Sequence, residues 1–87
     1  MNVLFSGRGW EDYLHWQQFD RKILKKINQL IQDISRDDPY EGIGKPEPLK
    51  HAFSGYWSRR ITDEHRLIYR IADHRIEIAQ ARYHYKE

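Results

Sequence analysis

His65-Arg66-Leu67-Ile68-Tyr69-Arg70-Ile71 alternates along its length, with His65, Leu67, Tyr69 and Ile71 on one face and Arg66, Ile68 and Arg70 on the other. That period of two is the signature of a strand with one side turned to a core. Tyr56–Thr62 before it and Arg75–Tyr83 after it are also strand-like. Asp63-Glu64 and Ala72-Asp73-His74 supply the turns between them. Three consecutive strands joined by tight turns predict an antiparallel meander, which can bury one face and leave the other to solvent. Leu49–Phe53 is expected to add a short strand.

Upstream the period changes. Ile23, Ile27, Leu30, Ile31 and Ile34 recur at helical spacing within Arg21–Ser35, opposite Arg21, Lys25, Gln29 and Gln32. This predicts a core-facing amphipathic helix, with Asp20 as its N-cap. Trp10, Tyr13 and Leu14 fall on one face of an earlier helix over Arg8–Phe19, entered through Ser6. Asn2–Phe5 reads as a strand. The expected fold is α+β: an antiparallel-rich sheet of about four to five strands, two N-terminal helices packed on one face, and residues 1–87 as a single domain.

Composition narrows the function classes. The 87 residues hold no cysteine, which excludes a disulfide framework, a thiolate zinc site and a thiol nucleophile. Mean hydropathy is −0.94, yet three Trp, six Tyr and three Phe argue against disorder. No apolar run is long enough to span a membrane, and Met1–Gly7 lacks the pattern of a signal peptide, so a cytoplasmic protein is expected. The net charge of +2 is unevenly spread. Residues 1–44 carry six Lys/Arg against seven Asp/Glu, whereas residues 45–87 carry nine against six and four of the five histidines. Clustered cations are the footprint of anion binding, so the second half is the half to suspect.

Phosphate-loop, dinucleotide and zinc-protease motifs are absent, and the histidines lack metal-ligand spacing. The residue types that remain suit RNA cleavage without a metal or cofactor. In that reaction a 2′-OH attacks the adjacent phosphorus and the 5′-oxygen leaves. The enzyme need supply only a base, an acid and positive charge. Glu47, held between Pro46 and Pro48, could be the base, with Lys45, Lys50 and His51 adding positive charge around it. His84 could be the acid, since histidine carries a proton near neutral pH, and Arg66 could meet the phosphate. Tyr83 and Tyr85, beside basic residues, could stack bases. Each also has a plain structural alternative: a loop carboxylate, a solvated arginine, a terminal histidine, rim aromatics.

A wider set of motifs shifts that balance. Gly44-Lys45-Pro46-Glu47-Pro48-Leu49-Lys50-His51, Trp57-Ser58-Arg59-Arg60-Ile61, Glu64-His65-Arg66-Leu67 and Arg82-Tyr83-His84-Tyr85, with Trp10-Glu11-Asp12-Tyr13-Leu14 upstream, strongly resemble the YoeB (Txe) toxins of the RelE/ParE superfamily over nearly the whole chain. The resemblance implies a microbial-RNase-like α+β fold and a type II toxin that cleaves mRNA in the ribosomal A site. It implies Glu47 as general base, Arg66 as phosphate and transition-state stabiliser, His84 as general acid and Tyr85 as a substrate-orienting residue. Lys50, His51 and Arg60 match positions around the phosphates. The implied partners are the ribosome, mRNA and a cognate antitoxin, typically dimeric, whose C-terminal segment wraps the toxin. Operator DNA is reached only through that antitoxin, and no membrane is involved. Exposed strand edges would allow a homodimer. Two features depart from the family pattern: Lys86-Glu87 beyond Tyr85, and Gly7-Arg8-Gly9 where a more acidic helix start is expected, a weakening of about 0.8–1 kcal/mol per glycine. Three rivals stay open: a gyrase-binding toxin, a non-catalytic RNA-binding protein, and a degenerate toxin kept as its antitoxin's co-repressor.

Overall fold

The computed structural model describes residues 1–36 and 38–85. Strand β1 (Asn2–Phe5) leads into helices α1 (Gly7–Phe19) and α2 (Arg21–Arg36). Strands β2 (Glu47–Pro48), β3 (Trp57–Arg60), β4 (Arg66–Ala72) and β5 (Arg75–Gln80) follow, with a 3₁₀ turn at His51–Phe53 between β2 and β3. The sheet order is β1-β5-β4-β3-β2. β1 runs parallel to β5, and the other neighbours are antiparallel. The α+β architecture expected from the sequence is the one observed.

Local chemistry explains the helix ends. Ser6 Oγ accepts from Gly9 N at 3.0 Å and caps α1. The extended backbone of Asp20 ends α1, while its carboxylate accepts from Lys22 N and Ile23 N at 3.1 and 3.2 Å and starts α2. One residue thus closes one helix and opens the next. Gly9 looked like a weakness in the sequence, but it is a packing requirement. A Cβ there would stand 2.5 Å from the Ile78 carbonyl oxygen, so only glycine lets α1 lie this close to β5.

The apolar stripe of α2 faces the sheet. Ile27, Leu30 and Ile34 are fully buried against Leu67 and Tyr69 of β4, Ile76 and Ile78 of β5, and Trp16 of α1. Burial of each such aliphatic side chain contributes about 1.5–3 kcal/mol. Ile68 and Leu49 are buried outside this core, so the far side of the sheet is not wholly solvated.

Two expectations need correction. Leu49–Phe53 is not a strand: His51 takes a positive φ of 55° and the backbone turns, while the strand pairing falls earlier, on Glu47–Pro48. The last strand ends at Gln80 rather than Tyr83. Tyr69 pairs with Ile78 while Ile68 pairs with Gln80, so Ala79 is an extra residue, a β-bulge. The bulge reverses the alternation. Ala81 joins the core, while Gln80 shares a face with its partner Ile68, away from the helices. Residues 81–85 then leave the sheet across its end.

Arginine 59 is the most unusual core residue, with no exposed surface at all. Each of its five N–H groups has an acceptor. Nε donates to Tyr69 Oη at 3.1 Å, Nη1 to Asp33 Oδ2 at 2.6 Å and Ile43 O at 3.1 Å, and Nη2 to Pro39 O at 3.1 Å and Glu41 O at 2.8 Å. The guanidinium beside Asp33 holds that carboxyl below its ordinary range, against the opposing effect of burial. Burial raises the Tyr69 hydroxyl. This cluster fastens the loop after α2 to the sheet. Gly44, at φ 81°, completes the fastening by accepting from Arg60 N at 2.7 Å, directly before Lys45-Pro46-Glu47.

Candidate active site

Sheet register builds the site. Directly opposed residues project from the same face. Glu47 opposes Ser58, Ser58 opposes Ile68, and Ile68 opposes Gln80, which makes one row across four strands. Two residues further along, Arg60 opposes Arg66 and forms a second row on that face. The tail crosses above them. A cavity of about 310 Å³ results, lined by Lys45, Glu47, Ser58, Arg60, Arg66, His84 and Tyr85. Three permanent cations and one carboxylate face a histidine and a phenol in that space, an environment that attracts phosphate.

Two of these side chains share an anchor. Arg66 Nη1 donates to the carbonyls of Thr62 at 2.8 Å, Asp63 at 3.1 Å and His65 at 3.1 Å, all in the β3–β4 turn. His84 Nε2 lies 3.1 Å from the same Asp63 oxygen. A carbonyl offers only lone pairs, so Nε2 carries the proton in that contact. The turn carbonyl therefore holds the arginine and the histidine side by side. Among the described residues Arg66 makes no ion pair, and its Nε and Nη2 have no hydrogen-bond partner. Other arginines differ. Arg70 and Arg75 both bind Glu77, whose carboxyl they hold below its ordinary range.

The tail is fixed from below. Trp16 Nε1 donates to Ala81 O at 2.8 Å, and the Asp12 carboxylate accepts from Ala81 N at 3.0 Å. Gln80 Nε2 donates to the carbonyls of Arg82 and His84 at 2.9 and 3.2 Å. Tyr85 packs edge-on to Phe53, with centroids 6.2 Å apart.

Of the residues singled out in the sequence, Glu47, Arg66, His84, Tyr85 and Arg60 converge on this cavity. Lys50 and His51 do not line it; they lie on the turn that follows β2. Lys86-Glu87 lies outside the described residues. The sequence reading missed Ser58, although its place two residues from Arg60 on one strand was the available signal. It also missed Gln80, because the bulge that turns this side chain to the site face leaves no mark in the alternation. Among the described residues no group of three His, Asp or Glu side chains comes together to hold a metal ion.

Residues 5–85 match the family model described as "YoeB-like toxin of bacterial type II toxin-antitoxin system". The chain belongs to the YoeB-like toxin family. It is accordingly a toxin of a type II toxin–antitoxin system. The Toxin YoeB of Streptomyces coelicolor is 60% identical over 85 residues, covering 98% of this chain and 100% of that protein. Among solved structures, a YoeB/ParE toxin from Agrobacterium tumefaciens superposes with a TM-score of 0.94 at 47% identity, covering 98% of this chain and 100% of that one. A YoeB from Staphylococcus aureus, solved as a dimer, superposes at 0.91 with 52% identity and 98% coverage of both chains. The S. aureus toxin has also been solved in a heterotetrameric complex with YefM. No helix of this YoeB-like toxin is long and apolar enough to cross a membrane, among its described residues.

Proposed function

We propose that this toxin is an endoribonuclease that cuts mRNA in the ribosomal A site by metal-independent general acid–base catalysis, and so inhibits translation. One observation carries the reading: Glu47, Arg66 and His84, from three separated segments, line a single cavity with two further cations. Glu47 removes the 2′-OH proton, and the freed oxygen attacks the adjacent phosphorus. Arg66, fixed through Nη1, turns its remaining N–H donors to the phosphorane oxygens as charge builds there. Protonated His84 delivers its proton to the departing 5′-oxygen. The products are a 2′,3′-cyclic phosphate and a free 5′-hydroxyl, so atoms and protons balance with no outside reagent. Lys45 and Arg60 draw in the phosphate, Tyr85 orients the nucleotide, and Lys50 and His51 meet flanking phosphates outside the cavity.

The site is open and small, and Glu47 and His84 are both exposed. The ribosome supplies the missing positioning, an effect that can reach about 7–11 kcal/mol. The place of action is therefore the cytoplasm. The S. aureus structures support two protein partners for this chain as well: a cognate antitoxin and a second copy of the toxin. Primer extension on one mRNA, with and without ribosomes in a purified translation system, tests the reading. Cuts confined to A-site codons and dependent on ribosomes are expected. Intact mRNA with ribosomes present would exclude the nuclease.

A further inference from the structure

Tyr83 is held at both its backbone N–H and its backbone carbonyl. Its N–H donates to His65 Nδ1 at 2.8 Å, and its carbonyl accepts from Arg66 N at 3.1 Å. The residue has φ of 65°, a left-handed conformation that side chains other than glycine rarely adopt, so something must hold it there. His65 is itself held. Its half-buried ring packs edge-on to Trp16 with centroids 4.8 Å apart, and it touches the Tyr83 ring at 5.9 Å. An imidazole nitrogen that accepts a hydrogen bond carries no proton, so the ring is the neutral Nε2–H tautomer.

We infer that His65 is a positioning residue for His84: the Nδ1 lone pair captures the Tyr83 amide, locks the strained turn, and so fixes where the tail presents the His84 ring in the cavity. This rests on the acid role proposed for His84. His65 lines no part of that cavity and touches no reacting atom. Its effect is transmitted through a single peptide bond.

The clamp is sensitive to protons. A charged imidazole has N–H at both nitrogens, and Nδ1–H would then confront the Tyr83 N–H, donor against donor. The surroundings keep the ring neutral. Burial lowers its proton affinity below the ordinary histidine value; neighbouring Glu64 opposes this, while Arg82 of the tail, His15 of α1 and His84 reinforce it. The clamp is therefore intact above the ordinary histidine range and opens as pH falls through the depressed value of the folded protein. That adds an acidic limb to the cleavage rate, separate from protonation of a carboxylate base.

Two variants and the wild type test the inference. His65→Leu removes the acceptor, whereas His65→Asn places an amide oxygen near the Nδ1 position. By NMR, the Tyr83 amide is expected to be protected from exchange in wild type and His65→Asn and to exchange freely in His65→Leu. In wild type this protection should vanish together with His65 protonation. In single-turnover cleavage on programmed ribosomes, His65→Leu should be slower on the order of 10²-fold, the usual effect of an ångström-scale misplacement, with a smaller change in the half-saturating concentration. His65→Asn should recover most of that rate and lose the acidic limb. Equal Tyr83 protection in His65→Leu and wild type would overturn the inference, as would equal rates for Leu and Asn at neutral pH. The wild-type titration needs no variant to fold. If wild type cuts nothing, the nuclease reading fails by itself, and the coupling of His65 protonation to Tyr83 exchange still decides whether the clamp exists.

Discussion

Replacing Asp33 with alanine should expose how much of this small fold hangs on one ion pair. Arg59 has no exposed surface, and its Nη1 lies 2.6 Å from the Asp33 carboxylate, which is itself 25% exposed. Removing one partner of a buried pair costs about 3–5 kcal/mol, because the remaining charge is left uncompensated. Here four other acceptors still hold the guanidinium, and Asp33 retains some solvent, so the lower end, about 3 kcal/mol, is expected. A chain of this length has roughly 4–13 kcal/mol of total stability, so the loss is a large fraction. Thermal unfolding should shift down by about 12–24 °C, at roughly 4–8 °C per kcal/mol for a domain of this size. The pH dependence has a definite sign. Asp33 titrates below its ordinary value when folded, so its contribution is complete above about the unfolded carboxyl pKa. It is lost as pH falls through the lower folded value. Wild type should therefore lose stability in that window, and Asp33→Asn should lack that component. Urea melts at several pH values read both effects. A cost of about 0.5 kcal/mol or less for Asp33→Ala, the worth of a solvated surface pair, would refute the reasoning.

Four further outcomes follow from the geometry. Arg66→Lys keeps one positive charge but loses the fork that is tied to the turn and offered to phosphate; its cleavage kcat is expected to fall about 10²–10³-fold, with KM less affected. Gly9→Ala forces a Cβ onto the Ile78 carbonyl and should cost about 1–3 kcal/mol in thermal melts. Gly7→Ala, with open space around it, should instead be stabilising by up to about 1 kcal/mol. Trp16→Phe leaves the Ala81 carbonyl without its buried donor, at about 1–3 kcal/mol. Faster exchange of the amides in residues 81–85 should accompany that loss.

The parts legible in the sequence were those governed by local periodicity. Ile23, Ile27, Leu30, Ile31 and Ile34 mark α2 because helical spacing alone brings them together, and the alternation of β4 names its core face directly. The family motifs brought out Glu47, Arg66, His84 and Tyr85, and the fold gathers all four at one cavity. The parts that were not legible depend on contacts between distant segments. The burial of Arg59 has no mark in the sequence, since no hydropathy pattern shows that five acceptors from Tyr69, α2 and the following loop converge on it. The Ala79 bulge leaves the apolar alternation of Ile76 and Ile78 intact and only then reverses it, so the strand seemed to run on to Tyr83. The anchor shared by Arg66 and His84 is a backbone carbonyl, and the identity of Asp63 gives no sign of it.

The most direct test of the central claim is mRNA cleavage on programmed ribosomes by wild type and Glu47→Ala, read by primer extension in the same experiment. The cavity geometry leads us to expect A-site cuts by wild type and a rate lower by about 10²–10⁴-fold in the variant, the range for loss of a general base. Equal cleavage by the two proteins would contradict the assignment of Glu47 as the base and, with it, the acid–base site built around Arg66 and His84.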